Sequence, residues 1–183
     1  MRERWKLARV GLVVCVVVLG TLFDAGRASS TSTSADLLIK ATSDADSHFL
    51  GDDVINQTGD SQTRTLRRSV GTSAKFIVKL ENDCNCQQTY YFYGCSNSNG
   101  FKLTYLLLDP PNPPVDHTSD VESGGLSTGL LNGPPNNGSA EIEMIIKVTR
   151  RARGSKACDV WATVSPAGGT IVDLVRGVAK IKL

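Results

Sequence analysis

The chain has 183 residues, with 20 basic and 18 acidic side chains and a formal net charge of +2. Residues 1–28 hold five of the basic and two of the acidic groups, so the remainder carries 15 and 16 and is close to neutral. That balance excludes an electrostatic nucleic-acid binder, and about 155 residues allow one domain with a real core but not two ordinary ones.

In chain order, the first element reads as an export signal, residues 1–28. Arg2, Arg4, Lys6 and Arg9 form a positive head, and the apolar run Val10–Phe23 follows. That run is short of the roughly 20 residues a membrane span needs, and small residues at Gly26 and Ala28 suit cleavage after Ala28. The rival is an uncleaved anchor, the one case in which this chain would meet a membrane. Residues 29–35, rich in Ser and Thr, form a flexible lead-in with nothing to bury.

From residue 36 to 183 the pattern is that of short strands. Asp36–Thr42 opens the domain, a polar stretch runs from Ser43 to Asp60, and Gln62–Val70 is a candidate edge strand. Ala74–Glu81 alternates cleanly: Phe76, Val78 and Leu80 share one face, and Lys75, Lys79 and Glu81 share the other. Asn82-Asp83 then supplies a turn. Thr89–Tyr93 is an aromatic strand, closed by Gly94 and by Ser96–Gly100. Phe101–Leu108 comes next and stops at Asp109–Pro114, because proline has no amide hydrogen for a ladder.

Residues 115–138 read mostly as loop, with a short strand near Leu126–Leu131. Ala140–Val148 places Ile142, Met144, Ile146 and Val148 inward and Glu141, Glu143 and Lys147 outward. Cys158–Val164 points Val160, Ala162 and Val164 inward, and Ile171–Leu183 closes the chain with Ala179, Ile181 and Leu183 inward. Seven or more short strands spaced by turns, with no helical stretch among them, predict an all-β fold, an antiparallel β-sandwich.

Several of these strings resemble a known module. They are D-L-L-I-K-A-T-S-D-A-D from Asp36, G-D-D-V-I-N-Q-T-G at Gly51–Gly59, Q-T-R-T-L at Gln62–Leu66 and K-L-E-N-D at Lys79–Asp83. G-G-L-S-T-G at Gly124–Gly129 and the closing T-I-V-D-L-V-R-G-V belong with them. Together they look like the immunoglobulin-like, cell-adhesion-related β-sandwich repeats of bacterial extracellular proteins. The resemblance spans nearly all of the chain after the signal and implies an immunoglobulin-like sandwich of secreted or surface proteins. Its motifs are turns and strands, not catalytic signatures. The chain departs from the repeats in holding one copy and in carrying cysteines.

Cys84, Cys86, Cys95 and Cys158 follow the signal, an even number that favours disulfides in an exported protein and allows three connectivities. In an immunoglobulin-like sandwich the strand ending at Glu81 and the one starting near Gln87 meet at one end. The aromatic strand finishes at Cys95, at the other end, where the strand from Cys158 also begins. That topology ranks Cys95–Cys158 first and leaves Cys84–Cys86. The first would close a loop of about 60 residues and stabilise the fold by roughly 3–4 kcal/mol. Free thiols and zinc are the alternatives, but an extended strand separates Cys86 from Cys95 by about 25–30 Å, so four thiolates do not meet at one metal.

If Tyr90 and Phe92 point inward, then Tyr91 and Tyr93 point outward, and Trp161 does so between Val160 and Ala162. On neighbouring strands Tyr91, Tyr93 and Trp161 form an aromatic patch able to stack on sugar rings or anchor a protein. The plainer reading, and the favoured one, is a set of cross-strand pairs that stabilise the sheet.

G-L-S-T-G at Gly125–Gly129 matches G-x-S-x-G, but a nucleophile elbow needs a helix after the serine and none follows. His48 and His117 lack metal-ligand spacing. The acidic residues Asp44, Asp46, Asp52, Asp53 and Asp60 offer oxygen ligands for calcium without an EF-hand spacing, and such loops are ordinarily just solvated. Arg150, Arg151, Arg153 and Lys156 form a basic loop that guards a sheet edge or meets an anionic polymer. Asn56 and Asn137 begin glycosylation sequons. The sum is a secreted, non-enzymatic module with a structural or adhesive role, alternatively a carbohydrate-binding module. It needs no cofactor or metal, and its partner is a surface protein or polysaccharide.

Overall fold

The computed structural model describes residues 34–135 and 138–182. The export-signal expectation, the start of the lead-in, Asn137 and Leu183 therefore lie outside the described residues. Among the described residues, ten strands form two five-stranded sheets. The first sheet orders β1 (Ala35–Ala41), β3 (Ser73–Asn82), β8 (Ser139–Val148), β5 (Phe101–Leu108) and β6 (Val115–Asp116). The second orders β2 (Thr63–Arg68), β10 (Asp173–Ile181), β9 (Ser155–Thr163), β4 (Gln88–Gly94) and β7 (Leu126–Leu131). The architecture is the expected all-β, immunoglobulin-like sandwich.

The period of two builds the core. Phe76, Val78 and Leu80 of β3 are fully buried between the sheets, beside Ile142, Met144, Ile146 and Val148 of β8. From the other sheet come Tyr90 and Phe92 of β4, Val160 and Ala162 of β9, and Val175 and Ala179 of β10. Each large apolar side chain so buried contributes about 1.5–3 kcal/mol. Gly177 keeps β10 close to this core: a Cβ there would stand 3.2 Å from the Phe76 ring.

Four details depart from the alternation pattern. The β2–β10 pair is parallel, with Thr63 opposite Arg176 and Arg68 opposite Ile181. The chain leaves β1 in the first sheet and crosses to the edge of the second through residues 42–62, a connection long enough to reverse direction. Val164, expected inward, is exposed, because β9 ends at Thr163 and the chain turns away at Ser165-Pro166. Glu143, expected outward, does lie on the outer face but is nearly buried: Thr42 Oγ1 donates to it at 3.3 Å and Lys75 Nζ pairs with it at 3.3 Å. Residues 115–135, read mostly as loop, hold β6 and a π-helical turn over Asp120–Gly124 besides the expected strand β7.

The Asn82 turn that joins β3 to β4 also joins the two sheets. Asn82 is fully buried; its amide donates to the carbonyls of Cys86 (2.9 Å) and Leu131 (3.0 Å). Its carbonyl oxygen accepts from Tyr90 Oη (2.8 Å) and from the Cys84 amide (3.1 Å). Both amide hydrogens and both carbonyl lone pairs of that side chain are used, which is what a buried amide requires.

Candidate functional site

The outer face of the second sheet carries the aromatic residues. Because Tyr90 and Phe92 enter the core, Tyr91 and Tyr93 stand on the opposite face of β4, and Trp161 stands likewise on β9. Tyr93 is directly opposite Trp161, and their rings stack with centroids 5.8 Å apart and planes 10° from parallel. Tyr91 faces Thr163 on one side and Ser127 on the other. All three side chains are only half-buried.

Tyr93 is further tied down. Its hydroxyl donates to the Pro166 carbonyl at 2.7 Å, and a Cβ on Gly125 would stand 2.6 Å from its ring. One ring face is thus spent on Trp161 and the hydroxyl on the 165–166 turn. Beside the pair, Arg176 makes a two-pronged contact with Asp159, at 2.5 and 3.0 Å. The arrangement matches cross-strand packing of a sheet face, with Trp161 and Tyr91 offering what remains of an apolar surface.

The cysteines fall into two pairs. Cys95 and Cys158 have their sulfurs at bonding distance and their Cα atoms 5.6 Å apart; Cys84 and Cys86 are likewise paired, with Cα atoms 5.1 Å apart. The length of β4 separates the pairs. Cys158 is fully buried, and Tyr105 Oη lies 3.1 Å from its sulfur while donating to the Cys95 carbonyl at 2.8 Å. Burial pushes the Tyr105 hydroxyl far above its ordinary range, so it remains a donor.

The other candidates separate. Ser127 lies exposed on β7, and the Gly129 amide donates to its hydroxyl at 3.2 Å. His117 pairs with Asp120 at 2.7 Å, and His48 is exposed in a single 3₁₀ turn. Arg150, Arg151 and Arg153 are exposed, whereas Lys156 reaches back to Ser98 Oγ at 2.8 Å. Of the acidic five, Asp44 binds Arg64, Asp46 binds Lys40 at 2.5 Å, and Asp60 accepts from Thr58 at 2.8 Å. Asp52 and Asp53 instead come together with Asp36.

Two carboxylates that sequence reasoning did not single out are buried. Asp173 is fully buried, accepting from the Leu37 amide (2.7 Å), the Gln62 amide group (2.9 Å) and the Asn56 amide (2.8 Å). Gln62, also fully buried, donates to the Leu37 carbonyl at 2.9 Å and accepts from Asn56 Nδ2 at 2.6 Å. Asn56, the sequon residue, is thus committed to the fold. Burial raises the Asp173 carboxyl even against these hydrogen bonds, and burial pushes Asp36 up to about 7. The signal for both was an aspartate interrupting an otherwise apolar strand.

No family model matches the chain, and no curated protein does. Among solved structures, it is similar to a family 123 glycoside hydrolase from Clostridium perfringens, at 16% identity and TM-score 0.47 over 81% of this chain. The chain spans 27% of that enzyme's length. It is also similar to a PapD-like domain of human CEP192, at 13% identity and TM-score 0.38, covering 97% of this chain and 96% of that one. The N-terminal domain of PorA is similar at 12% identity and TM-score 0.43, covering 80% and 97%. The fold assignment rests on the strand pairing itself.

Proposed function

We propose that this chain is a secreted, non-catalytic β-sandwich module with a structural or adhesive role at the cell surface, meeting a surface protein or polysaccharide. The observation that supports it is the pairing of Cys95 with Cys158 and of Cys84 with Cys86 at bonding distance, because such bonds persist in oxidising compartments. Tyr93 of β4 and Trp161 of β9, the strands that Cys95 and Cys158 join, spend their outer rings on one another, as a scaffold does. Non-reducing peptide mapping of surface-exposed protein tests the reading. Linked Cys95–Cys158 and Cys84–Cys86 peptides are expected; free thiols in a cytosolic fraction, or a Cys84–Cys95 pair, would overturn it.

The second reading, carbohydrate binding by Tyr91, Tyr93 and Trp161, draws on the partial exposure of the three rings. Trp161 is the sole tryptophan beyond residue 28, so its fluorescence reports on that face directly. Titration with surface polysaccharide that shifts the emission, and a loss of that shift in Tyr91→Ala, would favour binding through the rings. Unchanged emission leaves the scaffold reading in possession.

A further inference from the structure

The acidic residues of the 44–60 stretch do not act as one group; the fold takes two of them and adds a third from a distant strand. Asp36 sits on the outer face of β1, since Ala35, Leu37 and Ile39 enter the core. The turn Gly51–Val54, closed by the Val54 amide donating to the Gly51 carbonyl at 2.7 Å, folds over it. Gly51 is confined there: φ is 112°, and a Cβ would stand 2.6 Å from the Leu37 carbonyl oxygen. The turn is therefore held against β1 by backbone contact, and its two aspartates are carried to Asp36 by that contact.

One carboxylate oxygen from each of Asp36, Asp52 and Asp53 lies within 4.8 Å of the others. Lys79, which lines the same hollow as Asp52, is engaged with Glu81. A second observation sets the cluster apart from an ordinary acidic surface. Asp36 is 1% exposed, and while its Oδ2 accepts from the Asp53 amide at 2.7 Å, its buried Oδ1 has no hydrogen-bond partner among the described residues. A buried carboxylate oxygen without a donor is costly, and here its surroundings supply further negative charge instead of a donor.

We propose that Asp36, Asp52 and Asp53 hold a calcium ion. A divalent cation satisfies the orphaned Oδ1 and offsets the mutual repulsion of the carboxylates together. Calcium fits better than magnesium, because three carboxylates on a strand and a tight turn make an irregular, one-sided set, and calcium accepts irregular geometry completed by water. Two of the three ligands are exposed, which places the affinity in the weak range of extracellular calcium modules, a Kd of about 10⁻⁴–10⁻³ M. The ion would clamp the 42–62 crossover onto β1, the connection that links the two sheets.

The test is isothermal calorimetry and thermal melting of the folded chain, first stripped with EDTA, then titrated with calcium chloride and in parallel with magnesium chloride. At about ten times the Kd, calcium should raise the Tm by about 3–6 °C. The double variant Asp52→Asn/Asp53→Asn should fold like the parent and weaken calcium binding at least about tenfold. Asparagine suits residue 53, whose φ of 59° lies in the left-handed region. Absence of calcium binding up to about 10 mM, well above the range for such modules, would overturn the proposal. So would binding of parental strength in the double variant, or an equal response to magnesium. Asp36→Asn serves as the second probe: the expected result is a protein whose Tm no longer responds to calcium.

Discussion

Two buried aspartates near the same crossover have opposite fates. Asp173 on β10 is met by three donors, Leu37 from β1 and Asn56 and Gln62 from the 42–62 crossover, so its charge and shape are absorbed by the protein. Asp36 on β1 receives one amide and, among the described residues, leaves one oxygen unpartnered beside two further carboxylates. The difference teaches how to sort buried acids in a fold without an evident active site. One that is fully satisfied holds segments together; one that is left short, among like charges, is shaped for something from outside.

The largest effect expected from breaking this contrast is at Asp173. Asp173→Ala leaves three donors without an acceptor, each costing about 1–3 kcal/mol, so a total loss of roughly 3–5 kcal/mol is expected after partial rescue by water. Urea denaturation measures it. A loss below about 1 kcal/mol, the worth of one ordinary hydrogen bond, would mean that Asp173 does not organise the crossover. Asp36→Ala, in EDTA, should cost much less, because it removes one hydrogen bond together with a repulsive charge.

A smaller effect sharpens the same contrast through pH. Burial raises the Asp173 carboxyl above its unfolded value, so the folded state holds the proton more tightly than the unfolded chain does. Stability is then full below the unfolded pKa and falls as pH rises through the ordinary carboxylate range toward the raised one. Asp36 and Asp83, also raised by burial, add to the same slope. Asp46 and Asp116 are lowered, but both are exposed and screened. In EDTA, Tm should decline between about pH 4 and pH 7, and Asp173→Asn should show a shallower decline whatever its absolute Tm. An unchanged slope would remove Asp173 from the account.

The smallest expected effect calibrates both sites against an ordinary outer-face contact. Tyr93→Ala removes the stack on Trp161 and the hydrogen bond to Pro166, for about 1–2 kcal/mol, with a shift in Trp161 emission. A loss as large as that of Asp173→Ala would mean that the aromatic face, not the buried acid, ties this end of the second sheet.

Much of this molecule could be read from spacing. Strand β3 was legible because Phe76, Val78 and Leu80 alternate with Lys75, Lys79 and Glu81, and β8 was legible for the same reason. Val164 misled because the alternation carried past the point where Ser165-Pro166 ends pairing. Glu143 points outward as its alternation requires, but alternation assigns a face and not what lies over it; the cover comes from Thr42 and Lys75, far away in sequence. At the candidate calcium cluster, Asp52 and Asp53 were visible as an acidic pair, while their partner Asp36 was hidden inside an apolar strand.

The sequence by itself determined the class of fold, the inward faces of β3, β4, β8 and β9 and the segments that had to be turns, since these follow from local alternation and from proline and glycine chemistry. Only the tertiary structure decided that β2 runs parallel to β10, that Asn56, Gln62 and Asp173 share one network, and that Asp36 meets Asp52 and Asp53. The reason is range. A strand's period is written within eight residues, whereas the Leu37–Asp173 hydrogen bond joins positions 136 residues apart, and nothing short of the packed chain brings them together.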